Sequence, residues 1–153
     1  MAIGTMEEVM STHPFFSGMD SKLITTLVSC AGNRVFQPGE YLCREGEQAD
    51  SFYLIRSGRV TLEVYAAPRG PLRIETLQEG DVLGWSWLMA PYRWHFDAKA
   101  VATVQALALD ARSLRDRCEL DHELGYQLLT RFSNLIEERL QTIRSQLLAV
   151  YGH

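Results

Sequence analysis

The sequence predicts a mainly β domain with helices at both ends: a rolled antiparallel core of the jelly-roll or double-stranded β-helix type, a short N-terminal helix and a long C-terminal one. Three observations carry this. Between Arg34 and Asp110 the chain falls into short runs rich in Val, Leu, Phe, Tyr and Thr, separated by Gly- or Pro-bearing turns at near-regular intervals. After Asp110 the apolar residues recur with a helical period and keep it to about Val150. With 153 residues, 46% hydrophobic and 22% charged, the chain is sized to bury one core without disulfides or a structural metal. One domain spanning 1–153 is expected, with the roll over about 33–110 and the C-terminal helix over about 121–150.

Each element has a local reason. Leu23, Ile24, Leu27 and Val28 stand at helical spacing behind Asp20-Ser21, which are good N-cap types, so one short helix is expected there. The preceding His13-Pro14-Phe15-Phe16-Ser17-Gly18 reads as a turn that inserts its two rings into the core. Strands are expected at Arg34–Phe36, Glu40–Arg44, Ser51–Arg56, Val60–Ala66, Leu72–Leu77, His95–Val101 and Val104–Leu109. Their turns fall at Pro38-Gly39, Glu45-Gly46, Ser57-Gly58, Arg69-Gly70 and Glu79-Gly80. Asp110 caps a helix over Ala111–Cys118, and near Asp121 a longer one begins.

Within the long helix, Leu129, Ile136, Leu140, Ile143, Leu147 and Val150 follow an alternating four-and-three spacing, with Ser133 its one weak position. That is the seam of a coiled coil, and it predicts a homodimer. Leu124, Leu128, Phe132 and Leu135 form a second, displaced stripe that suits packing on the helix's own domain. Glu137, Glu138 and Arg139 read as a solvated face with i,i+4 support.

Charge and composition narrow the function. A net charge of -4 disfavours a chain that neutralises phosphates, so no direct nucleic-acid binding is expected. Cys30, Cys43 and Cys118 lie far apart with no Cys-x-x-Cys pair, which points to reduced thiols and a cytoplasmic setting. No window approaches the roughly 20 apolar residues of a membrane span, and Met1–Ser11 lacks the order of a secretory signal. The histidines are scattered, so no metal site is expected, and no Gly-x-Ser-x-Gly elbow, His-Glu-x-x-His helix or phosphate loop before Lys is present. The expectation is a chain that is not an enzyme.

One stretch carries a resemblance. Leu42-Cys43-Arg44-Glu45-Gly46-Glu47-Gln48-Ala49-Asp50-Ser51-Phe52-Tyr53-Leu54-Ile55-Arg56-Ser57-Gly58 resembles the first signature of the cyclic-nucleotide-binding domain family at every restricted position. The physical logic accompanies the match: Gly46 and Gly58 free the backbone at turns, Ala49 permits close packing, and Phe52–Ile55 reads as a strand buried on both faces. The chain as a whole is similar to the sensor half of bacterial regulators of the catabolite-activator class, which continue into a helix-turn-helix. A sensor half without the helix-turn-helix, acting through an unidentified effector protein, is what the resemblance implies here.

The same resemblance marks a break in the ligand cassette. Cyclic-nucleotide-binding members carry Gly-Glu-x-Ala-Leu, where backbone N–H groups cradle the phosphate and the Glu holds the ribose hydroxyl, and a downstream Arg that pairs with the phosphate. Here the segment reads Gly84-Trp85-Ser86-Trp87-Leu88, then Arg93-Trp94-His95-Phe96. Gly84 and Leu88 match, Trp85 replaces the Glu, and counting back from Asp110 puts Trp94 in the Arg position. An unpaired buried phosphate costs several kcal/mol against the roughly 8 kcal/mol of micromolar binding.

Several readings remain open. In one, Trp85, Trp87, Tyr92, Trp94 and Phe96 fill the vacated space as core. In another they line a site for a flat apolar ligand, with Ser86, Arg93 and His95 as its polar contacts. A third keeps cyclic AMP or cyclic GMP through Arg93, if an altered loop turns it inward. A fourth is a haem held by His95. No resident cofactor is expected beyond these.

Overall fold

The computed structural model describes residues 6–152, so Met1–Thr5 and His153 of the expected 1–153 domain lie outside the described residues. The chain opens with helix α1 (Met6–Thr12), a 3-10 turn (Pro14–Phe16) and helix α2 (Ser21–Ser29). Eight strands follow: β1 (Ala31–Phe36), β2 (Tyr41–Cys43), β3 (Ser51–Ser57), β4 (Val60–Ala66), β5 (Gly70–Leu77), β6 (Val82–Leu83), β7 (Asp97–Ala100) and β8 (Val104–Asp110). A second 3-10 turn (Ser86–Leu88) stands between β6 and β7. Helices α3 (Ala111–Leu120) and α4 (His122–Tyr151) complete the chain.

The strands form two antiparallel four-stranded sheets, in the orders β1-β8-β3-β6 and β2-β7-β4-β5, which is the β-roll expected from the sequence. Closing two sheets on each other buries the alternate side chains that the runs supplied. Phe52, Tyr53, Leu54 and Ile55 of β3 are all buried. Tyr53 meets the edge of Phe36 at 5.7 Å, while Phe52 faces the other way and meets Phe132 of α4 at 5.1 Å. The Ser57-Gly58 turn is obligate: Gly58 has φ +95, and a Cβ there would lie 2.3 Å from the Thr103 carbonyl oxygen.

The caps lie where the sequence placed them. The Asp20 carboxylate accepts from Lys22 N at 2.8 Å, Asp110 from Arg112 and Ser113, and Asp121 from Glu123 and Leu124. Two elements were not expected. Helix α1 has only seven residues and a single buried side chain, Met10, too few for a periodic signal. Strand β6 has two residues, too few to alternate, and exists because Tyr53 and Leu54 pair with Leu83 and Val82. The strand expected over His95–Val101 is shorter, Asp97–Ala100, because the chain before it pairs with the Gly46–Ala49 turn.

Helix α4 packs by its displaced stripe: Leu124, Leu128 and Phe132 are fully buried and Leu135 partly so. Phe132 meets the rings of Phe15, Phe52 and Trp87 at 4.8, 5.1 and 5.5 Å, tying the N-terminal turn, the roll and α4 together. Burying one such ring contributes about 1.5–3 kcal/mol. Among the described residues no helix is long and apolar enough to cross a membrane.

Candidate ligand cleft and the helix beside it

The cassette begins where β6 ends. Gly84 adopts φ +104, a conformation that L side chains avoid, and this turns the chain sharply toward the roll. A Cβ at Gly84 would lie 2.4 Å from Cη2 and 2.6 Å from Cζ3 of Trp94, so the indole lies directly on the glycine. Trp94 is buried there beside Phe96, whose ring centroid is 5.9 Å away, and Trp85 meets Phe96 at 6.5 Å.

The Ser86–Leu88 turn is anchored from below. Trp87 is fully buried, stacks on Phe52 at 4.9 Å with planes 11° apart, and meets the edge of Phe132. Its carbonyl accepts from Arg115 Nη1 at 2.8 Å, and the Arg115 guanidinium lies 4.2 Å from the Tyr92 ring centre. The Trp87 Nε1–H is buried without a hydrogen-bond partner among the described residues. Ser86 is buried and Leu88 half-buried.

Arg93 and His95 do not join the aromatic group. The Tyr92–Trp94 segment runs antiparallel to Gly46–Ala49: Ala49 N donates to Tyr92 O at 2.7 Å, Trp94 N to Glu47 O at 3.0 Å, and Gly46 N to Trp94 O at 2.9 Å. At the bridge between Gln48 and Arg93 neighbours point to opposite faces, and burial follows suit: Trp94 and Phe96 are inside, Arg93 and His95 outside. Both are exposed, and Arg93 Nη1 donates to the Gly46 carbonyl at 2.7 Å. Of the eight cassette positions singled out in the sequence, the structure gathers Gly84, Trp85, Ser86, Trp87, Leu88 and Trp94 and places Arg93 and His95 outside.

Open space lies elsewhere. A cavity of about 460 Å³ sits between the Pro14–Phe16 turn, the Gly80 turn and α4, and none of Gly84–His95 lines it. A second of about 290 Å³ reaches one side of Trp94 and is lined also by Leu42, Cys43, Glu47, Asp50 and Ser51.

The sequence reading missed one group, and the structure corrects it. Arg139, assigned to a solvated face, is buried. Its Nε pairs with Glu75 Oε2 of β5 at 3.0 Å, its Nη2 donates to the Val82 carbonyl at 3.1 Å, and its guanidinium lies 5.3 Å from the Trp85 ring centre. Burial raises the Glu75 carboxyl above its ordinary pKa, against the opposing pull of Arg139. Burial likewise lowers that of Arg139, against Glu75. The signal was available: Arg139 continues the inward stripe Leu128, Phe132, Leu135 at the next step of four.

The other stripe of α4 is open. Leu129, Leu140, Ile143, Leu147 and Val150 are exposed by 50–71% and Ile136 is half-buried.

The comparisons with known proteins agree with this architecture. The family described as the cyclic nucleotide-binding domain matches residues 33–121. The mouse cyclic nucleotide-gated channel beta-3 is 30% identical over 104 residues, which is 66% of this chain and 15% of the channel. The chain thus spans a small part of the length of that relative. A putative cyclic nucleotide-binding protein from Geobacter metallireducens superposes with a TM-score of 0.80 at 22% identity, covering 90% of this chain and 99% of that one. The catabolite activator protein of Thermus thermophilus gives 0.71 at 20% identity over 90% of this chain and 63% of its own. With more than half its length matched, and with the two-sheet roll and its cassette in place, this chain belongs to the cyclic nucleotide-binding domain family.

Proposed function

We propose that this chain is a non-enzymatic signalling module whose ligand cleft is filled by its own side chains, and that it works as a homodimer joined through α4 and passes its state to an effector protein. The observation that carries the first half is the Trp94 indole lying on Gly84, the first residue of the segment that resembles the family's phosphate cassette. A phosphate entering there meets an apolar ring, and the nearby Arg139 guanidinium is already paired with Glu75. Arg93, the one guanidinium near in sequence, is on the outer face, and the same outward placement of His95 argues against haem. The free thiols of Cys30, Cys43 and Cys118 support a reducing compartment, the cytoplasm.

Calorimetric titration with cyclic AMP and with cyclic GMP tests the filled cleft. No heat and no thermal shift are expected up to millimolar nucleotide; saturable binding at micromolar concentration would overturn it.

The dimer rests on the open stripe of α4. Side chains this large and apolar, spaced four and three apart on one helix, are a seam without a partner in the monomer. Sedimentation at micromolar protein is expected to report a dimer, and Leu140→Lys with Ile143→Lys a folded monomer by circular dichroism, with a melting temperature lowered only by the lost association, because both side chains are exposed in the single chain. A wild-type monomer ends this part of the reading.

A further inference from the structure

The last anchor of α4 is a charge rather than an apolar group. Leu124, Leu128, Phe132 and Arg139 are the buried residues of this helix, and every side chain from Leu140 to Tyr151 is exposed. Beyond Arg139 a single hydrogen bond to the roll is present among the described residues, from Gln146 Nε2 to the Ile74 carbonyl at 3.5 Å. The final twelve residues of the helix therefore depend for their position on what Arg139 holds.

We propose that Arg139 and Glu75 form a built-in latch, seated beside Trp85 of the cassette, that fixes the outer half of α4 and the direction in which its apolar stripe faces. The inference rests on the reading of that stripe as a dimer seam, and it names how the seam is controlled. A leucine at 139 would bury area with little directional preference. The guanidinium instead makes directional contacts on three separate pieces of the roll: Glu75 on β5, the Val82 carbonyl on β6, and the Trp85 ring at the head of the cassette. Such a fork resists rotation of the helix about its axis. Rotation is what would turn Leu140, Ile143 and Leu147 away from a second copy, since successive residues are about 100° apart around the helix. The side chain of Arg139 is 8% exposed and that of Glu75 26% exposed, so the pair is shielded from salt on one side and reachable on the other. Because Trp85 shares the guanidinium, any rearrangement of the cassette also changes the seating of Arg139. The seam is thereby coupled to the cleft without a ligand being present.

The test is amide hydrogen exchange by mass spectrometry on the full chain, comparing wild type with Arg139→Gln, Glu75→Gln and the double variant. Exchange over 140–151 is expected to quicken at least tenfold in each single variant, with 124–132 unchanged and the double variant no faster than the faster single one. Unchanged rates over 140–151 would overturn the latch, and so would equal loosening of 124–132, or additive effects in the double variant. Should Arg139→Gln not fold, the half-buried Glu75→Gln carries the comparison alone. Sedimentation of the wild type separates the two ideas. A wild-type monomer removes the seam while the exchange contrast still tests the latch, and a wild-type dimer with no contrast removes only the latch.

Discussion

Gly84→Ala is expected to destabilise the protein by about 2–6 kcal/mol, and the size of the loss depends on Trp94. Two costs are involved. The backbone at φ +104 charges an L side chain roughly 1–3 kcal/mol of strain. The new methyl would also sit 2.4 Å from the Trp94 ring, and expelling a buried indole from a packed site costs about 1–3 kcal/mol more. The second cost disappears when the ring is shortened. In a Trp94→Leu background the same Gly84→Ala change should therefore cost only the strain, and the double-mutant cycle should show a coupling of at least about 1 kcal/mol. Urea denaturation of the four proteins measures it. Equal losses in both backgrounds would mean that the indole does not rest on Gly84, and the filled-cleft reading would fall with it.

Trp87→Ala is expected to cost about 3–5 kcal/mol, because it removes a ring packed against both Phe52 and Phe132 and leaves a void beside them. Against a typical total of about 5–15 kcal/mol this is a large share. Trp87→Phe should behave differently. It keeps most of the stacking surface and abolishes a buried indole N–H that has no partner, a group whose burial costs about 1–3 kcal/mol, so a net loss below about 1.5 kcal/mol is expected. Thermal or urea melts of the two variants compare the effects directly. A Trp87→Phe loss as large as that of Trp87→Ala would indicate that the indole nitrogen is satisfied after all. Trp87 stands at the small-residue position of the Gly-Glu-x-Ala-Leu pattern, and its ring has gone into the core while the turn around it is only three residues long.

Much of the roll was legible because each strand carries its own punctuation. Ser51–Ser57 is apolar through its centre and closes at a Ser-Gly turn whose glycine has φ +95, so its own residues delimit it. The two-residue β6 and the seven-residue α1 were not legible, since elements so short are made by their partners rather than by their own pattern.

The cassette divides in the same way. That the polar anchors are absent at Trp85 and Trp94 is written in the residue types, and period-two alternation then puts Arg93 and Trp94 on opposite faces once the segment is known to be extended. That it is extended depends on hydrogen bonds to Gly46, Glu47 and Ala49, more than forty residues earlier in the chain. No local propensity encodes such a pairing. Arg139 is the sharper instance: its helical period placed it on the inward face, but its charge argued for water, and only the approach of Glu75 from β5 and the Val82 carbonyl from β6 makes that burial affordable. The sequence by itself therefore determined the family, the roll, the two stripes of α4 and the aromatic residue types of the cassette, all of which are properties of residues within a few positions of one another. Only the tertiary structure decided which rings lie on Gly84, which way Arg93 faces and what Arg139 holds, because each of these depends on groups that meet only when distant strands and helices pack.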